Sequence, residues 1–250
     1  MARVTEAKLQ QEAVPEDFLR LALEAQSPQK RERYAQAGLT LADVELTPDT
    51  RVLLLRQLYL SQLERRQLGR AARTAMEMAE IGPLADVAHH DAARALAADG
   101  DLAAAISAQR LAARKAPATR RSFQLWSLAT LQHHAGEPGA ALDSLSRATR
   151  WASRDGPLLR AHAAYVTLDS GEIPEALDEV TASLKASACR QGYGEYLLGM
   201  IAYLASDGRS AAPLLRAFLR RHAATDVPQL LTLQEELRRA RRVLAQIESV

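Results

Sequence analysis

Apolar residues recur at helical spacing through most of this chain, and polar turn phrases interrupt them at regular distances. The clearest stripe is near the C-terminus, where Leu230, Leu233, Leu237, Ala240, Leu244 and Ile247 share one helix face. No run alternates apolar and polar residues in the two-residue period of a half-buried strand. The pattern predicts helices over roughly 16–26, 28–44, 49–64, 67–81, 84–98, 101–115, 119–134, 138–153, 157–169, 174–187, 193–205, 210–223 and 228–248. The ten prolines all fit connections or first turns, where a missing N–H removes no helical hydrogen bond. Ser27, Thr47 and Asp155 precede prolines as candidate caps.

One phrase returns. Gly100-Asp101-Leu102, Gly136-Glu137-Pro138 and Gly171-Glu172-Ile173 each close an apolar stretch and precede a small residue at a fixed offset, Ala105, Ala141 and Ala176. The glycines are 36 and 35 residues apart, a period that belongs to stacked helix pairs. The expected fold is all-α, with short connections making sequential helices antiparallel neighbours.

Composition agrees. The chain is 48% hydrophobic but only 4% aromatic, and Ala and Leu, strong helix formers, dominate. A net charge of +2 gives no global field calling for nucleic acid or anionic lipid. Arg outnumbers Lys and Asn is absent, a bias associated with GC-rich bacterial genomes. Cys189 is the single cysteine, which excludes an internal disulfide and a CxxC metal site. Met1–Gln11 has no apolar core of a secretory signal, and no stretch approaches the roughly 20 apolar residues of a membrane span. The expectation is a soluble cytoplasmic protein.

These features resemble the tetratricopeptide repeat (TPR) family, whose unit is a helix–turn–helix of about 34 residues. The best copy spans Leu84–Pro117, with Leu96, Gly100-Asp101, Ala105, Ala112 and the closing Pro117. The preceding copy has Leu55, Leu58, Tyr59, Ala71 and Ala75, closes at Pro83, and carries Arg66 in place of the turn glycine. Later copies offer Leu125, Leu128, Ala129, Leu145 and Ala148, then Ala163, Ala164, Val180 and Ser183, then Leu198-Gly199, Asp207-Gly208, Ala211, Leu215 and Phe218. The Trp, Gly and Tyr of the family's first helix are mostly missing. The resemblance implies a right-handed superhelical α-solenoid of stacked repeats over 1–250. It would comprise a degenerate pair at 15–48, repeat pairs at 49–223 and a capping helix at 228–250.

In that family the first helix of each pair lines a concave groove. The repeat phase puts Leu53, Val87, Phe123 and Leu158 in one groove row, Arg56, His90, Trp126 and Ala161 in the next, and Leu60, Arg94, Thr130 and Tyr165 in a third, with His133 a turn further. The candidate partner-binding residues are Arg56, His90, Arg94, Phe123, Trp126, His133 and Tyr165. A one-residue change of phase moves Trp126 from groove to core, so both placements stand at this point. Such a groove suits an extended peptide or helix bearing acidic and apolar residues. The chaperone-tail carboxylate clamp of some TPR proteins needs Asn, so that specificity is not expected here.

No phosphate loop, GxSxG or HExxH pattern is present, and no enzyme, cofactor or metal is expected. His89-His90 and His133-His134 are adjacent pairs that point about 100° apart on a helix and do not chelate together. Gly192-Tyr193-Gly194 reads as a flexible start to a helix and not as a dinucleotide fingerprint. Cys189 beside Arg190 invites a lowered thiol pKa, though a lone cysteine is more often incidental. The expected function is a protein-interaction scaffold or adaptor. A self-associating structural protein is the alternative, suggested by the amphipathic last helix, and a nucleic-acid-binding repeat comes behind it.

Overall fold

The computed structural model describes residues 14–41, 46–82 and 84–249, and all regular structure among them is helical. The helices are α1 (Pro15–Glu24), α2 (Pro28–Leu39), α3 (Pro48–Glu64), α4 (Leu68–Ala79), α5 (Ala85–Asp99), α6 (Leu102–Lys115) and α7 (Ala118–His134). They continue with α8 (Pro138–Thr149), α9 (Gly156–Asp169), α10 (Leu177–Ala186), α11 (Tyr193–Leu204), α12 (Gly208–Arg221), α13 (Val227–Thr232) and α14 (Gln234–Glu248). A single 3-10 turn, Ala188–Arg190, separates α10 from α11. No described helix is long and apolar enough to cross a membrane. Pro83, Met1–Gln11, residues 42–45 and Val250 lie outside the described residues, and with them the closing proline of the second copy and the end of the helix expected over 28–44.

The repeat is written into the connections. Arg66, Gly100, Gly136, Gly171 and Ser206 all have φ between 57° and 95°, and they stand 34, 36, 35 and 35 residues apart. In each turn the next N–H reaches back five residues to a carbonyl: Gln67 to Gln62 (2.8 Å), Asp101 to Leu96 (3.0 Å), Glu137 to Gln132 (2.9 Å), Glu172 to Thr167 (3.1 Å) and Asp207 to Ala202 (2.8 Å). This closing bond satisfies a carbonyl that the helix end would leave bare. The turn of the last copy therefore sits on Ser206 and not on the Asp207-Gly208 pair. It matches the others in length.

Five residues beyond each turn, Ala71, Ala105, Ala141 and Ala211 are wholly buried, where a small side chain lets the paired helices close on each other. Ala176 does not follow. It is exposed with φ 51°, and α10 starts only at Leu177. The cause is Pro174, whose ring pushes the preceding Ile173 out of helical φ/ψ at the position where the other second helices begin. Ile173 is left 88% exposed, and Leu184 is the one buried residue of α10. Pro213 also departs from expectation: it lies inside α12 instead of in a first turn, leaving the Arg209 carbonyl without its helical donor.

From α1 to α10 each helix packs on the next, and α11 packs on α9 and α12. Equivalent helices are also tied across one repeat. Tyr59 OH donates to the Asp91 carbonyl (3.1 Å), and Arg120 grips Asp86 through two bonds of 2.8 and 2.7 Å. Trp126 Nε1 donates to His162 Nδ1 (2.8 Å), and His133 Nε2 donates to Asp169 Oδ2 (2.8 Å). The core runs along the chain as three clusters: one centred on α3–α5, a second on α7–α9, and a third from α9 to α14.

The C-terminal segment breaks the sequential pattern. A break at Leu233 divides the expected single helix into α13 and α14. α13 lies on α3 and α5, with Leu231 buried in the first cluster, while α14 packs on α11 and α12. The segment expected to cap the far end thus turns back over the first helices of earlier repeats.

Candidate functional site

The hollow between the first helices and this returning segment holds a cavity of about 670 Å³. α5 contributes His90 and Arg94, α7 contributes Phe123, Trp126 and His134, and α11 contributes Tyr193. The far wall comes from α13 and α14, through Leu231, Glu235, Glu236 and Arg238, with His222 at the end of α12. Helical phase explains the near wall. His90 and Arg94, Phe123 and Ser127, and Trp126 and Thr130 are pairs four apart on one helix face.

Aromatic rings form a connected wall. His90 meets Phe123 edge-on at 5.2 Å, Phe123 meets Trp126 at 6.4 Å, and Trp126 meets Tyr193 at 5.2 Å. Trp126 stands at the boundary, with one edge on the cavity and its N–H bonded inward to His162, so both placements left open by the sequence are partly met. Accepting that bond leaves His162 Nδ1 unprotonated, and burial holds the ring's pKa well below its usual value. Burial also lowers His90 to about 4 and His134 to about 3. His90 then donates from Nδ1 to Gln109 Oε1 at 3.0 Å, and Gln109 donates to the Gln124 side chain at 2.8 Å. The histidines of this wall are neutral hydrogen-bonding groups, not charges.

Glu236 is the outlier. It is 1% exposed. Its Oε1 accepts from Tyr193 OH at 3.2 Å and lies 3.7 Å from His134 Nε2, while Oε2 has no partner. Burial raises this carboxyl to about 7. The next residues in the sequence are better served. Arg238 pairs with Glu235 at 2.6 Å, and Arg239 donates to both Tyr165 OH and Asp169 at 3.0 Å.

The sequence-derived candidates fall into three groups. His90, Arg94, Phe123 and Trp126 line the cavity. His133 and Tyr165 are buried beneath it, His133 held by Asp169 and Tyr165 stacked among His162, Tyr196 and Arg239. They are structural because α14 covers the turn on which they were expected to be open. Arg56 is half-buried and ion-paired with Asp91, whose carboxylate is 3% exposed, so its charge is spent internally. Of the apolar row, Leu53 and Phe123 remain 49% and 47% exposed, whereas Leu158 is buried.

Sequence reasoning missed Glu236, His222 and His162 as members of the site, and set Tyr193 and His134 aside. Adjacent histidines do point apart, and here His133 turns into the core while His134 turns to the cavity. The lowered thiol pKa that Arg190 invited at Cys189 is not found: the thiol pKa is raised, by burial and then by Asp155, whose carboxylate lies 3.7 Å away. Asp155 makes no side-chain cap on α9. Among the described residues no group of three His, Cys, Asp or Glu side chains converges as a metal site. No protein-family model matches the chain, and no curated protein aligns with it significantly.

Proposed function

We propose that this chain is a TPR-like right-handed α-solenoid that works as a protein-interaction adaptor, holding a partner segment along the row of its first helices. The observation that carries this reading is the apolar row Leu53, Val87 and Phe123, one residue from each of α3, α5 and α7, in which Leu53 and Phe123 are exposed and Val87 is half-buried. Apolar side chains at least partly open at one-repeat spacing suit apolar anchors of an extended peptide or helix. Five turns of one geometry at a period near 35 residues support the solenoid. The partner is read as apolar first and acidic second. Arg56 and Arg120 already have carboxylates of their own, Asp91 and Asp86, which weakens the case for an acidic ligand there. Self-association through the last helix is the lesser reading, because Leu237, Ala240, Val243 and Leu244 are buried within the chain.

The test is affinity capture from the native cell with Leu53→Glu/Val87→Glu set against Met76→Glu, an exposed position on α4. A partner held on the row should be lost roughly tenfold or more with the first variant and retained with the second. Equal capture by both removes the row as the binding surface. Arg56→Glu is a poor probe, since it would place a second carboxylate against buried Asp91.

A further inference from the structure

We propose that the cavity between α5, α7, α11 and the α13–α14 segment binds a small organic cation, a primary amine or amidine on an aromatic body, with Glu236 as its counter-ion. This goes beyond the adaptor reading and does not depend on it, because it rests on Glu236 and the cavity and shares only Phe123 with the open row.

Three observations converge. First, a volume of about 670 Å³ lies within the roughly 300–1,000 Å³ of small-molecule sites. Second, residues of both walls of this cavity carry unpartnered buried polar atoms: Glu236 Oε2, Arg94 Nε and both ring nitrogens of His222. Glu236 is the decisive one. It is almost wholly buried, it lines the cavity, and one carboxylate oxygen has nothing to accept from. Third, the neighbouring surface is the aromatic wall of Phe123, Trp126 and Tyr193. The negative faces of such rings attract a cation and repel an anion.

Charges already present do not do this work. Arg238 is held by Glu235, Arg239 by Asp169 and Tyr165, and the His134 ring beside Glu236 is neutral. A bound ammonium would donate to Glu236 Oε2, and its body would lie along Trp126 and Phe123. His222 and Arg94 would offer a neutral polar contact and a donor to substituents at the other end. A permanent anion would meet the buried carboxyl and the ring faces at once.

Trp126 reports on the site. Trp151 is the only other tryptophan, is 44% exposed, and sits elsewhere under Arg121, so Trp151→Phe isolates the Trp126 signal. Benzamidine and phenethylamine are titrated into this variant, with benzamide and phenylethanol as uncharged isosteres and benzoate as the anion. The expected result is a saturable change in Trp126 fluorescence with both cations, at a midpoint roughly tenfold or more below that of the isosteres. Adding Glu236→Gln should raise the cation midpoint by a similar factor and leave the isosteres where they were. No saturable response to either cation overturns the proposal. Equal affinity for cation and isostere overturns it as well, and that comparison needs no change at Glu236. Tighter binding of benzoate assigns the cavity to Arg94 instead.

Discussion

Replacing Glu236 by Gln should make the protein more stable above neutral pH and leave it almost unchanged in mild acid. Burial moves the Glu236 carboxyl from its ordinary 4.5 to about 7. In the unfolded chain the group gives up its proton as pH rises through 4.5, but in the folded chain it holds the proton until about 7. Between those values the unfolded state binds fewer protons, so stability falls as pH rises across the window and levels off above it. At about 1.4 kcal/mol for each tenfold change in proton affinity, the loss reaches about 3 kcal/mol by about pH 8 and is close to nil near pH 4. Gln keeps the oxygen that accepts from Tyr193 OH, turns its amide toward the cavity, and has no charge to bury. His134, lowered to about 3 by burial, has the opposite effect. Its contribution is lost as pH falls through 6.5 toward 3, because the unfolded chain takes up a proton that the folded chain refuses. Both proteins contain His134, so its effect cancels in the difference between them. Urea unfolding of wild type and variant at about pH 4.5 and about pH 8 should give a stability difference that opens with pH to about 3 kcal/mol. A difference that is the same at both pH values would refute the reasoning, because it would mean that Glu236 ionises freely in the folded state.

Two further predictions concern the repeat itself, beside those on the apolar row and the cavity. Ala105→Leu or Ala141→Leu should lower stability by about 1–3 kcal/mol through overpacking, whereas Ala176→Leu, at the same offset but exposed, should lie within about 0.5 kcal/mol of wild type; thermal melts distinguish them, and three equal losses would put Ala176 back in the core. Arg66→Gly and Ser206→Gly should each stabilise by about 1 kcal/mol, because both residues hold φ near 60° without the freedom of glycine, and a loss of stability in either would show that its turn is not left-handed.

The period was legible because it is a local property. A turn that closes with a left-handed residue and a five-back hydrogen bond favours glycine, and three of the five turns have one. The residue that follows must be small for the helices to meet; all five are alanine, and four of them are buried. The failures were local too, and each has a cause in the chain. Ser206 takes the glycine's place without being glycine, which displaced the expected turn by two residues. Ile173-Pro174 has the composition of a helix start but the sterics of a helix stop, and α10 is peeled from the stack as a result.

The cavity was legible only in half. Its near wall repeats from helix to helix, so His90, Phe123 and Trp126 follow from phase alone. Its far wall depends on α13 and α14 returning across repeats that ended long before. The contacts that fix them join residues 43, 70 and 74 apart: Tyr193 with Glu236, Asp169 with Arg239 and Tyr165 with Arg239. None of these separations is a single repeat, and nothing in a nearest-neighbour stack encodes them. The same returning segment explains why His133 and Tyr165 are not open. A carboxyl buried with a bare oxygen is a local inconsistency in the array, and inconsistencies that a fold retains concentrate where something other than stability is served. That the inconsistency falls in the one wall the repeat does not build ties the cavity to the addition of the C-terminal helices, not to the helix pairs they lie across.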